Sequence, residues 1–399
     1  MLIMNKLKPA FIGGLMSLTL AACGGSGSDE SKSVPEVLTH ADYRSMMTEF
    51  ISEEVPGVVL LVESPEDRFL ESYGNADTNI YRPLVTDDVM PVGVAGQKLI
   101  GLLAVMLAED GLLDLDARVE SFLEPSLQVH RGYSIEDIFE INPDIRLMTV
   151  RQLLNHTSGL KGIEEYDRLT RFSRALLAWD VSNTEYENHS FLAYDFYTPS
   201  GCDPGECWQF TDGGYGLVGL ILTQVLGEHP AAEVRSRILE PLGMNASYYA
   251  GVEKDYGEII SGYFNSKRED RIIDFKPIYE DLALTSTPLH TSVEDLALLL
   301  KAIVTDSGSI DPDIREVMIG EGNMVTVGNN KHYAMGIFKE VINGTTLYYS
   351  NGFEPGYTSV NIYIPESDTS ISAFFNGNSD IDNTSEHDEL INKILLSVL

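Results

Sequence analysis

Apolar residues along the chain change period twice, and those changes divide it into three stretches. Residues 36–54 carry Val37, Leu38, Tyr43, Met46, Met47 and Phe50 at helical spacing. Two β-rich runs follow, 57–62 and 68–74, separated by the polar turn Ser64-Pro65-Glu66-Asp67. From Lys98 to about Ala250 the signals are mostly helical, with apolar faces at 99–107, 150–155, 172–179 and 215–226. The last third returns to strands at 333–341, 345–349, 358–364 and 370–375, then closes on an amphipathic helix at 386–399. Strands at both ends of a helical middle imply one sheet assembled from distant parts of the chain. Short turns between the late strands make it mostly antiparallel. The fold class is therefore α+β: a mostly antiparallel sheet flanked by helices, plus a helical subdomain. Its sheet half takes about 36–95 and 260–399, its helical half about 96–259, and the cleft between them is the default place for a site.

The first residues carry a different pattern. Lys6 and Lys8 precede the apolar run 11–20, which is too short to span a bilayer and reads as a secretory leader over 1–22. It closes on Leu20-Ala21-Ala22-Cys23, which resembles a bacterial lipobox. That resemblance implies lipidation of Cys23, which would become the mature N-terminus. The other reading is an ordinary leader with an incidental cysteine. Gly24 after the cysteine, rather than aspartate, points to the outer membrane over the inner. Residues 23–35 make a Gly/Ser-rich tether suited to joining an anchor to a domain.

Charge narrows the partners. The chain holds 27 basic and 61 acidic residues, a net charge of −34. Loss of the leader would leave 25 basic residues and a net charge of −36. Such a surface repels nucleic acid and anionic lipid, so any membrane contact runs through the anchor alone. Cys202 and Cys207 flank an Asp-Pro-Gly-Glu turn. In an oxidising compartment a disulfide is favoured there over a metal site, which would need more ligands nearby. No metal and no cofactor is expected.

The chemistry rests on a set of landmarks. Val92-Gly93-Val94-Ala95-Gly96-Gln97-Lys98 runs into the helix at 99–107 and then into Glu109-Asp110-Gly111-Leu112. Tyr73-Gly74-Asn75-Ala76-Asp77 precedes it. Thr149-Val150-Arg151-Gln152-Leu153-Leu154-Asn155-His156-Thr157-Ser158-Gly159-Leu160, Glu240-Pro241-Leu242-Gly243-Met244, Ser286-Thr287 and Glu294-Asp295-Leu296 come after it. In order and spacing, over roughly 40–380, these resemble the serine β-lactamase and penicillin-binding-protein superfamily. The resemblance is to its branch of class C β-lactamases, D-amino peptidases and esterases. It implies a Ser-x-x-Lys helix whose serine attacks an acyl carbon and whose lysine handles the proton. It also implies a Tyr-x-Asn motif that shares the proton work and a His/Lys-x-Gly strand that contacts substrate. His156 and Ser158, two apart, belong by the same resemblance to a structural turn, and their spacing suits no triad.

The chain departs from that pattern at most of its reactive positions. Ala95 stands where the serine belongs, and a methyl group cannot attack a carbonyl. Phe210-Thr211-Asp212 replaces Tyr-x-Asn, losing the hydroxyl and turning an amide into a carboxylate. Ser350-Asn351-Gly352 replaces His/Lys-x-Gly, so Lys98 and Gly352 alone match. In the family the second-motif asparagine lies near the lysine. Asp212 is therefore expected to pair with Lys98 and raise its pKa, which would spoil it as a base.

Three readings of function result. The first is a pseudo-hydrolase that binds a peptide, a cell-wall fragment or a partner protein, with Lys98, Thr211, Ser350 and Glu354 as polar contacts. The second is an active esterase, β-lactamase or peptidase with a displaced nucleophile among Ser286, Ser350 and Thr211, using Asp212 or Lys98 as base. The third is a purely structural envelope lipoprotein.

Overall fold

Alternation along the strand Gly57–Glu63 sets up the layers of the molecule. Val58, Leu60 and Val62 join one apolar core, while Val59 and Leu61 join another on the opposite side. This is the period-2 geometry of a strand buried on both faces. The computed structural model describes residues 38–131, 143–161, 201–267, 269–379 and 384–399. The leader with Lys6, Lys8 and Cys23, the tether, and the helix expected at 172–179 lie outside the described residues.

The main sheet has ten strands, and every described pairing along it is antiparallel. Its centre brings the start and end of the chain together. Gly57–Glu63 pairs with Arg68–Asp77 on one side and with Thr369–Phe375 on the other. Tyr357–Ile364 continues from there, and the sheet runs out through 345–349, 337–342, 331–334 and 325–328. Helices His40–Phe50 and Thr384–Val398 cover one face, with Tyr43, Met47, Ile391, Ile394 and Leu395 buried against Val58, Leu60 and Phe375. The other face carries the larger core, built with helices Gln97–Glu109, Asp212–Leu226 and Val293–Val304. Among the described residues, no helix is long and apolar enough to cross a membrane.

Helix Gln97–Glu109 is buried nearly all round, from Gln97 through Val105 and again at Leu107. An apolar helix without a polar face belongs inside a core. One turn of the sheet presses on it. The sequence pattern reads 333–341 as a single strand, but the chain forms two, Lys331–Ala334 and Ile337–Ile342. Between them Met335 and Gly336 take left-handed conformations, with φ of 48° and 89°. A period-2 pattern cannot signal a two-residue turn whose flanking side chains remain in phase. The turn packs so close to the helix that a Cβ at Gly101 would lie 2.6 Å from the Met335 carbonyl oxygen, and one at Gly336 would collide with the Lys98 backbone nitrogen.

Gly336→Ala is therefore expected to cost about 2–4 kcal/mol, combining left-handed strain with displacement of the helix. Gly344→Ala is the control, because its φ is 90° but nothing lies within 4 Å of the added carbon. It carries the strain alone, about 1 kcal/mol. Urea melts of both variants check the difference, and equal losses would remove the helix contact from the explanation.

Candidate active site

The head of the motif helix is a 3-10 turn, Gly93–Gly96, that delivers Ala95 and then Lys98 to the same place. Both are fully buried. The Lys98 ammonium reaches back to the Ala95 carbonyl oxygen at 2.7 Å and across to the Ser350 hydroxyl at 2.7 Å. Ser350 follows the strand Thr345–Tyr349 directly, and its amide donates to the Asn361 carbonyl at 3.0 Å. The hydroxyl is thus held against the lysine by backbone already committed to the sheet.

This corrects the expected Lys98–Asp212 pair. Asp212 instead accepts from the Gln97 side-chain amide at 3.3 Å, and it begins helix Asp212–Leu226, where a carboxylate suits the helix dipole. The lysine's partners are a carbonyl and a hydroxyl. With no carboxylate among them, burial alone moves its pKa, and it moves down to about 7 rather than up. The pair was expected because the family's second-motif asparagine lies near the lysine, but here Gln97 takes the carboxylate. One helical position decides which side chain meets the acid.

The second motif arrives through a stapled loop. Cys202 and Cys207 form the expected disulfide. Gly201, Gly205 and Gln209 donate backbone hydrogen bonds to the carbonyls of Gly159, Thr157 and His156. Phe210 packs at a tilt against the His156 ring, with centroids 4.4 Å apart. Thr211 is buried, and its hydroxyl has no hydrogen-bond partner among the described residues.

The His156 ring is bonded into this backbone. The Thr211 amide donates to its Nδ1 at 3.4 Å, so Nε2 carries the proton and donates to the Tyr333 hydroxyl at 2.9 Å. Tyr333 lies 3.4 Å from the Tyr215 hydroxyl, which donates to the Leu154 carbonyl at 2.9 Å. Trp208, Phe210, Tyr215 and Tyr333 surround the imidazole, and burial holds its pKa down at about 3. Ser158 is elsewhere occupied, accepting from the Leu160 amide at 3.4 Å. Neighbouring Asn155 accepts from the Met335 amide at 3.2 Å and ties the signature to the turn that presses on Lys98.

The third motif needs its glycine. A side chain at Gly352 would drive into the Val92 carbonyl, which also accepts from the Ser359 hydroxyl at 3.0 Å. The strand Gly352–Glu354 thereby lies flush against the segment leading to Ala95. Glu354 is buried and accepts from the Tyr279 hydroxyl at 2.8 Å. Ala95, Lys98 and Ser350 are thus buried together, while Val94, Phe210, Asp212, Asn351 and Phe353 beside them in the chain segments are partly exposed.

Of the residues named from the sequence, Lys98, Ala95 and Ser350 meet directly. Asp212 reaches Gln97, the neighbour of Lys98, Phe210 packs on His156, and Gly352 lies against the Val92 carbonyl. Ser286 lies half-buried in the turn at 285–287, outside the lysine's hydrogen bonds. Tyr215 and Tyr333 were missed as parts of the site's support. Each sits at an ordinary apolar position of a helix or a strand, and nothing in the local pattern separates such a tyrosine from core. Among the described residues, no three His, Cys, Asp or Glu side chains cluster as a metal site.

The arrangement can move a proton between Ser350 and Lys98, and it cannot form an acyl-enzyme at position 95. Comparison with known proteins agrees with the framework. A penicillin-binding protein of Bacillus subtilis is 25% identical over 197 residues, which is 47% of this chain and 37% of that protein. The lovastatin esterase of Penicillium rubens is 24% identical over 211 residues, 51% of each chain. The chain thus spans about half the length, or less, of these two curated relatives. The octameric penicillin-binding protein homologue from Pyrococcus abyssi superposes with a TM-score of 0.70 at 24% identity, covering 90% of this chain and 78% of that one. The Beta-lactamase family profile matches residues 43–396, nearly all of the described fold and all three motif positions, and the chain belongs to that family.

Proposed function

We propose that the chain is a binding protein built on a hydrolase fold, an envelope lipoprotein anchored through Cys23 that holds an acyl-bearing ligand in its cleft without turning it over. A peptide or a cell-wall fragment fits the class, since relatives are named for ester and penicillin ligands. The observation that carries this reading is the Ala95 methyl at the head of the motif helix. Loss of a nucleophile in a serine hydrolase can cost about a million-fold in turnover, leaving binding as the larger residue of function. Phe210 has no hydroxyl, so the second motif supplies no proton carrier at that position.

The test is to titrate the protein with muramyl peptides, following the melting temperature, and to assay 4-nitrophenyl acetate hydrolysis in parallel. A saturable upward shift with no steady release of nitrophenolate above the buffer rate is expected. Sustained release over many equivalents would sink the reading. A second reading, an active hydrolase with a displaced nucleophile, is favoured by the Ser350–Lys98 contact.

A further inference from the structure

The contact between Ser350 and Lys98 has the form of a working dyad although neither family partner of the lysine remains. We propose that Ser350 is a covalent acceptor: its Oγ takes the acyl group of an ester or amide-type ligand bound beside Ala95, with Lys98 as base. This rests on the binding reading above and makes the capture covalent.

Four observations support it. The Oγ–Nζ separation of 2.7 Å is within the reach required of a nucleophile and its base. The remaining hydrogen bond of the lysine goes to the Ala95 carbonyl, which can only accept. On losing its proton the amine keeps one N–H on that carbonyl, and the contact that the ammonium donates to Ser350 Oγ reverses, the lone pair accepting from the hydroxyl. No carboxylate is bonded to the lysine to hold a proton on it, and burial favours the neutral form. Finally, the backbone of Ser350 is pinned by the Asn361 carbonyl, so the hydroxyl is preorganised rather than swinging on a loop.

The step balances without a co-reactant. The Oγ–acyl bond forms and the bond from the acyl carbon to its leaving group breaks. The hydroxyl proton passes to Lys98 Nζ and from there to the leaving group, returning the amine to its neutral form. Hydrolysis of the resulting ester lacks the hydroxyl that Phe210 does not supply, so the acyl group stays on Ser350.

The experiment treats the full chain with 4-nitrophenyl acetate and, separately, with a fluorophosphonate, then reads intact mass, peptide position and nitrophenolate released. One adduct on the Ser350 peptide with a burst of one equivalent is expected. Ser350→Ala and Lys98→Met should each slow labelling by about a hundredfold. Ser350→Cys keeps a nucleophile in place if the alanine variant does not fold, and it should be labelled at the same position. Saturable ligand binding by folded protein with no adduct would overturn covalent capture and leave the binding reading standing. An adduct on Ser350 with continued release would support the nucleophile and overturn the absence of turnover. Labelling at Lys98 or at another residue, unchanged in Ser350→Ala, would overturn the proposal.

Discussion

Below pH 6.5 the protein is expected to lose stability steeply, by about 1.4 kcal/mol per pH unit for each buried histidine that stays neutral. His156, His290 and His387 are all buried, and burial holds each at about pH 3, against an ordinary value of 6.5. The unfolded chain therefore takes up these protons first. The contribution is complete above 6.5 and is lost as the pH falls from there toward 3. Each ring has a structural reason to refuse the proton. His156 would lose the Thr211 amide bond to Nδ1, and His290 meets the edge of Tyr248 at 5.2 Å. His387 lies between Phe50 and Phe375, with neither ring nitrogen hydrogen-bonded among the described residues.

Relief of repulsion among the excess acids opposes this loss, but those charges are screened by salt and buried rings are not. Urea melts at pH 7.5, 6 and 5 in high salt separate the two. His387→Phe should flatten the slope by about 1.4 kcal/mol per pH unit and, by removing unsatisfied nitrogens, gain about 1 kcal/mol at pH 7.5. An unchanged slope in that variant would show that His387 is not among the groups responsible.

Restoring the family's reactive groups is expected to have the largest effect on activity. Ala95→Ser, Phe210→Tyr and Asp212→Asn together should raise kcat/KM on 4-nitrophenyl acetate by about 100-fold or more over the natural chain. A serine at 95 would sit one helical turn from a lysine that is already buried and close to neutral, so the base needs no rebuilding. The new hydroxyl must compete with Ser350 for that lysine. Adding Ser350→Ala to the triple variant should therefore increase the rate further. A folded triple variant with no activity would mean that the oxyanion site or the cleft has also been lost.

Much of this framework is written in local pattern. The run at 57–62 alternates between two apolar cores, and those at 358–364 and 370–375 send every second residue into one of them, so strands of that kind announce themselves. The Thr149–Leu160 signature and the Cys202–Cys207 bridge could also be read directly. What could not be read is geometry that depends on one residue's neighbours across the fold. Asp212 was expected on Lys98 and rests on Gln97 instead, because adjacent positions of a helix point in different directions. The Met335–Gly336 turn hides in a strand-like run. The support of His156 by Tyr333 joins residues 177 apart in sequence, which no spacing rule connects.

The loop that carries Phe210 and Asp212 is attached to the 156–159 turn through backbone amides and carbonyls and closed by a sulfur bridge. Such attachments are indifferent to which side chains the loop presents. The mounting of the site is therefore heritable independently of its reactivity. The groups at 210 and 212 can therefore change with less cost to the mounting than changes in the 156–159 turn would bring, and a new chemistry written into this protein should begin on that loop.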